Sequence, residues 1–190
     1  MSDLDPEVLL PLLRGRLGRP YTFVTECAST QRLLGPAEPE GAIAAADLQT
    51  QGRGRLGRTW LAPAGRALLF SVVLRPDVAM EHWPELSVIA GEAVAAALPV
   101  EAHVSHPNDV LVEDRKIAGI LPEAADGLIV LGIGVNVNQA DVELPADASK
   151  PPTSLRLETG REWPRAPLLA TILAELERRY DEWQRSRPGG

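Results

Sequence analysis

The chain has 190 residues, 45% of them apolar, and its 26 acidic against 19 basic side chains give a formal charge of −7. That is material for one core and too little for two domains of ordinary size. The acidic balance excludes general nucleic-acid binding, the lone cysteine excludes an intramolecular disulfide, and no apolar run reaches the length of a membrane span.

In chain order, residues 1–20 predict a short leucine-rich helix, interrupted by Pro11 and ended by Gly18 and Pro20, that packs as an N-terminal arm. Nothing in them reads as a secretory leader, so a cytoplasmic location is expected. "YTFVTE" predicts a strand, and "STQRLL" the start of a helix with Ser29 or Thr30 as N-cap. "GAIAAADLQ" is a second strand, "QTQGRGRLGRTW" a loop, and "RALLFSVVLRP" a long apolar strand. "MEHWPELSVIAGEAVAAAL" has a helical apolar face of Leu86, Ile89, Ala90, Ala93, Val94 and Ala97. "NDVLVEDRKIAGIL" and "GLIVLGIGVNVN" read as hairpin-connected strands with a turn at "VEDRK". Residues 139–153 form a polar, Pro-rich loop, "PRAPLLATILAELERRYDEW" an amphipathic helix, and "QRSRPGG" a fraying tail. The expected fold is α+β: a mixed, largely antiparallel sheet with helices on one side, residues 1–190 forming one domain.

Four stretches carry chemistry. In the loop, Gly52, Gly54 and Gly57 leave backbone N–H groups free to face an anion, and Arg53, Arg55 and Arg58 offer planar five-donor forks. That combination suits a polyphosphate but lacks the P-loop order, and a solvated basic turn or an RNA contact is the plainer alternative. In "GIGVNVN", period-two geometry puts Gly132, Gly134, Asn136 and Asn138 on one face. A flat ligand could lie on the glycines and reach Asn136; the alternative is two glycines softening a buried strand. Lys116, after the turn, shares its face with Ala118 and Ile120 and is either functional or an edge-blocking lysine. Asn108 and Asp109 follow Pro107 in ordinary turn chemistry, and Trp60 is either a stacking ring or a packing anchor. His103 and His106, three apart on a predicted strand, face opposite ways and make no metal pair; no metal ligands are assigned.

"GRGRLGRTW" resembles the adenylate-binding motif of biotin protein ligases, and "HPNDVLVEDRKIAGIL" is similar to their second signature. With "STQRLL", "GIGVNVN" and the closing "TSLRLETGREWPRAPLLATILAELERRYDEW", the resemblance spans residues 20–183. It implies the fold shared with lipoate ligases and class II synthetases. It also implies an enzyme that uses ATP and Mg2+ to make biotinyl-5′-adenylate, then passes biotin to a lysine of a biotin carboxyl carrier protein domain. By the same resemblance the catalytic residues are Lys116, Arg53, Arg55 and Asp109. Biotin is held by Ser29, Thr30, Gln49, Gly52, Arg53, Arg55, Lys116, Gly119 and Gly134, and the adenylate by Arg55, Arg58, Trp60, Asn108, Lys116 and Asn136. The chain departs from the family pattern at Ser105-His106, where Lys-Trp is usual, and at Gln31 and Leu56. The family's DNA-binding domain and its small C-terminal β-barrel are expected to be absent, with no DNA or membrane partner. A homodimer is expected, although no stretch singles out an interface. The rivals are a lipoate or octanoate ligase or transferase, and a non-catalytic biotin or adenylate-binding module.

Overall fold

The computed structural model describes residues 1–146 and 150–187; residues 147–149 of the predicted loop and the end of the tail lie outside the described residues. Seven strands form one sheet: β1 (Tyr21–Cys27), β2 (Ile43–Gln49), β3 (Ala67–Leu74), β4 (His103–Ser105), β5 (Asp109–Val112), β6 (Arg115–Ala125) and β7 (Leu128–Asn136). Their order is β1-β2-β3-β7-β6-β5-β4. The β1–β2 pair is parallel and every other pair antiparallel, the mixed sheet that the alternating segments predict.

One face of this sheet is the core. Leu68, Phe70, Val72 and Leu74 of β3 and Ile129, Leu131, Ile133 and Val135 of β7 alternate onto it, as period two requires. The helices α2 (Glu85–Ala97) and α4 (Arg165–Ser186) cover it, α2 burying Leu86, Ala90, Ala93 and Val94, and α4 burying Leu169, Ile172, Leu173, Leu176 and Tyr180. At the start of the chain, α1 (Pro6–Leu9) runs straight into a 3-10 turn at Leu10–Leu12. Pro11 therefore does not break the arm: it sits in the opening turn, where its missing N–H has no partner to lose. Leu4, Leu9, Leu13 and Leu17 are buried beneath it. Arg165, only 3% exposed, ties the arm to β2 by binding Asp3 and, at 2.7 Å, Asp47.

Three expectations change. The helix expected at "STQRLL" is a single 3-10 turn, Thr30–Leu33, and Ser29 makes no side-chain cap; Gly35, Pro36 and Pro39 leave no room for a longer one. The closing stretch from Thr153, one helix by the family resemblance, is two, since Gly160 at φ 73 ends α3 (Leu155–Thr159), which Ser154 caps by accepting from Leu157 N. And α4 runs through Ser186, so the first residues of the predicted tail are helical. No helix among the described residues is long and apolar enough to cross a membrane.

Candidate active site

On the sheet face that the helices leave free lies a cleft of about 760 Å³. Its floor follows from strand register. Leu69 of β3 pairs with Gly134 of β7, Gly134 with Gly119 of β6, and Gly119 with Asp109 of β5, so one row crosses four strands. The next row runs Ser71, Gly132, Leu121. Three of these positions lack a side chain, and the floor is low there.

Lys116 reaches this face through a β-bulge. Val110 pairs with Ala118 but Leu111 with Lys116, leaving Ile117 as the extra residue of β6. Strict alternation puts Lys116 with Ala118 and Ile120; that expectation fails. Ile117, Ala118 and Ile120 are all fully buried in the core, whereas Lys116 turns to the cleft side with Gly119, three residues on.

One end of the cleft is neutral. Thr30 donates from N and Oγ1 to Gln49 Oε1, at 2.8 and 3.1 Å, and its hydroxyl shares a 2.7 Å hydrogen bond with Ser71 Oγ. Gln31 donates to Leu121 O and Val130 O and lies over Gly132, where an added Cβ would stand 2.8 Å from its Cδ. Ser29 is buried beside them. Sequence reasoning found Ser29, Thr30 and Gln49 but missed Ser71, whose signal was one hydroxyl inside the apolar run "ALLFSVVL".

The middle of the floor carries the Trp60 indole. Its ring atoms lie 2.6–3.0 Å from the site of a Cβ on Gly134, and 2.9 Å from one on Gly119. The glycine face expected to be bare for a flat ligand is therefore covered by this ring. Trp60 folds back because its N donates to Gly52 O at 2.9 Å and its carbonyl comes within 2.4 Å of where a Gly52 Cβ would be. Buried in this position, the indole N–H has no hydrogen-bond partner among the described residues. The neighbouring loop is partly folded: Arg53 bridges to Thr59, and Gly54 N donates to Arg58 O rather than standing free for an anion. Gly57 (φ 74) uses its conformational freedom, but so does Leu56 at φ 58, while Gly54 is extended.

The other end is cationic. Lys116 Nζ lies 2.8 Å from Asp109 Oδ1 and 5.5 Å from the Trp60 ring centre. Lys150, from the loop before α3, reaches Asp109 Oδ2 at 3.0 Å and Ser105 Oγ at 2.8 Å. Burial pushes the Asp109 pKa up, but the two ammonium groups outweigh it and hold the carboxyl below its ordinary value. Asp109 is thus a charged anchor with both oxygens engaged, poorly suited to take a proton at neutral pH. Arg55 donates to Asn108 Oδ1 at 3.2 Å, and Asn108 in turn donates to Ile120 O. Arg53 is drawn aside by Glu123 at 2.6 Å, and Arg58 lines the cleft. Lys150 and Glu123 carried no motif, and sequence reasoning missed both.

Asn136 lies at the cleft wall. The buried Gln139 donates to its Oδ1 at 2.8 Å and accepts from Val137 N, so the Asn136 amide is oriented with its NH2 left to donate. Asn138, expected on the same face, instead exchanges hydrogen bonds with the Trp163 backbone: β7 ends at Asn136, and period two ends with it. Among the described residues no three His, Cys, Asp or Glu side chains gather as a metal cage.

The profile of the Biotin/lipoate A/B protein ligase family matches residues 24–139, the segment that carries the floor, the arginine loop and Lys116. The chain belongs to this family. It is 32% identical to the Bifunctional ligase/repressor BirA of Bacillus spizizenii over 192 aligned positions, covering 94% of this chain and 59% of the relative. It is 40% identical to the Biotin–[acetyl-CoA-carboxylase] ligase of Mycobacterium tuberculosis, over 83% of this chain and 60% of that one. This chain thus spans about 60% of the length of the curated relatives it matches. Among solved structures, the biotin protein ligase from Aquifex aeolicus in complex with biotin and ATP superposes with a TM-score of 0.80 at 31% identity, over 89% of this chain and 73% of that one. Its likeness extends over the same mixed sheet.

Proposed function

We propose that this chain is an ATP-dependent biotin protein ligase. The observation that carries the reading is the polarity of one cleft, with a neutral hydrogen-bonding end and a cationic end on either side of a glycine floor. Biotin offers a matching molecule: an uncharged ureido head for Ser29, Thr30 and Gln49, and a carboxylate that points to Lys116. The acid oxygen then bonds to the α-phosphorus of ATP while the bond from that phosphorus to the β-bridging oxygen breaks, giving biotinyl-5′-adenylate and pyrophosphate.

Lys116 serves the step by offsetting the repulsion between carboxylate and phosphate and stabilising charge on the equatorial oxygens. Arg53, Arg55 and Arg58 close on the same groups from the loop, Trp60 lies at the middle of the floor beside Lys116 for the adenylate to pack against, and Asn136 at the wall offers its NH2 to the nucleobase. Mg2+ would offset the charge of the nucleotide phosphates; Asp109, the carboxylate of the cleft, is already engaged by Lys116 and Lys150. In the second step the amine of a carrier-domain lysine attacks the acyl carbon and AMP leaves. That partner is a biotin carboxyl carrier protein domain, and the expected compartment is the cytoplasm.

Biotin-dependent ATP–pyrophosphate exchange tests the reading. Exchange with biotin and none with lipoate or octanoate is expected. Exchange with lipoate alone would make the chain a lipoate ligase, and no exchange with any acid would leave a binding module.

A further inference from the structure

Lys150 is the cation of this cleft that the reaction as described leaves without a task. The chain places it firmly. Lys116 N donates to Pro151 O at 2.8 Å and Thr153 N donates to Lys116 O at 2.9 Å, so the segment after Lys150 lies along β6 at the bulge. Pro151 and Pro152 fix two successive φ angles there. Nζ then meets Ser105 Oγ and Asp109 Oδ2. An ammonium group has three N–H donors, and this side chain, 32% exposed, lines the cleft with two of them engaged and no partner for the third among the described residues.

Two ammonium groups on one carboxylate leave one positive charge over, which an arriving anion can balance. The lysines hold different oxygens of Asp109, Lys116 at Oδ1 and Lys150 at Oδ2. Lys116 Nζ is 3.4 Å from where a Cβ on Gly119 would stand, against the floor, while Lys150 is tied to Ser105 in β4, the edge strand. A nucleotide whose α-phosphorus meets Lys116 can run its remaining phosphates past Asp109 toward that edge, where Lys150 stands.

We propose that Lys150 is a catalytic residue of the adenylation step that contacts the β- and γ-phosphates of ATP and then the departing pyrophosphate. The proposal rests on the ligase reading above. As the acid oxygen bonds to the α-phosphorus, the electron pair of the breaking bond goes to the β-bridging oxygen, and no proton moves. Charge grows on the group that leaves, and the spare N–H of Lys150 is placed to receive it.

The test uses Lys150→Met and Lys150→Arg in the full chain, with ATP, pyrophosphate and biotin varied separately in the exchange assay and thermal unfolding as the control. Lys150→Met should raise KM for pyrophosphate and ATP by roughly tenfold or more and leave KM for biotin unchanged, with Lys150→Arg restoring most of the loss. An unchanged KM for pyrophosphate in a folded Lys150→Met protein overturns the proposal. So does a rise of all three KM values together with a lowered Tm, which would make Lys150 only a brace for Asp109. Calorimetric titration with inorganic pyrophosphate alone is the second readout. Should the wild type show no biotin-dependent exchange, the ligase reading fails and this titration still decides Lys150: binding lost in Lys150→Met supports the contact, and equal binding refutes it.

Discussion

Gly134→Ala places one methyl group where the Trp60 ring lies. The new Cβ would stand 2.6 Å from Cε2, 2.9 Å from Cζ2 and 3.0 Å from Nε1, while ordinary contact begins at 3.4 Å. Gly134 is in mid-strand, paired to β3 on one side and β6 on the other, so the ring must withdraw by roughly 1 Å instead of the strand. Overpacking of this kind costs about 1–3 kcal/mol. At about 2–4 °C per kcal/mol for a protein of this size, Tm should fall by roughly 2–12 °C. In a Trp60→Ala background the clash is gone, and alanine in place of glycine within a strand should be neutral or mildly stabilising. Thermal unfolding of the wild type, both single variants and the double variant gives the coupling directly. Equal destabilisation by Gly134→Ala with and without Trp60 would refute the placement of the ring on the floor. The larger Gly134→Val should fold, by circular dichroism, but push the Trp60 ring off the floor into the cleft and so weaken biotin binding, by calorimetry.

Lys116→Ala should cost about 3–4 kcal/mol of transition-state stabilisation, read as pre-steady-state adenylate formation at saturating ATP and biotin; an unchanged rate would remove Lys116 from the step. The depressed Asp109 pKa makes its contribution to stability complete above the ordinary aspartate value of about 3.9 and lost as pH falls through the lower folded value. The difference in unfolding free energy between wild type and Asp109→Asn should thus be flat around neutrality and shrink once pH falls below the ordinary aspartate value; a difference that stays constant, or grows, over that acid range contradicts the pairing with Lys116 and Lys150. The Arg53–Glu123 pair is over a third exposed on both sides and holds the loop only weakly. Trypsin should therefore cut the free protein after Arg53, Arg55 or Arg58, faster in Glu123→Gln, with protection by biotin and ATP. Resistance equal in the free and liganded protein would make these arginines static phosphate ligands.

The strands and the two long helices were legible because side-chain period is a local property of the backbone: "LFSVVL" and "LGIGV" alternate on their own account. Gly132 and Gly134 were legible on one face for the same reason, whereas Gly119 and the motif around Lys116 were legible only through family resemblance. Three features of the site were not. The bulge at Ile117 turns Lys116 from the core face to the cleft, and a bulge is set by how β5 pairs with β6, which the period of β6 alone does not record. Trp60 covers the glycines because Gly52 admits its carbonyl and the ring then meets β6 and β7, contacts between elements far apart in the chain. Lys150 joins Asp109 because a proline pair and two backbone hydrogen bonds lay its segment along β6. Its own stretch, "ASKPP", reads as an ordinary polar loop. Local spacing determined which face each residue could use within a regular strand. Pairing between strands and loop return, which act through space, decided which charges meet.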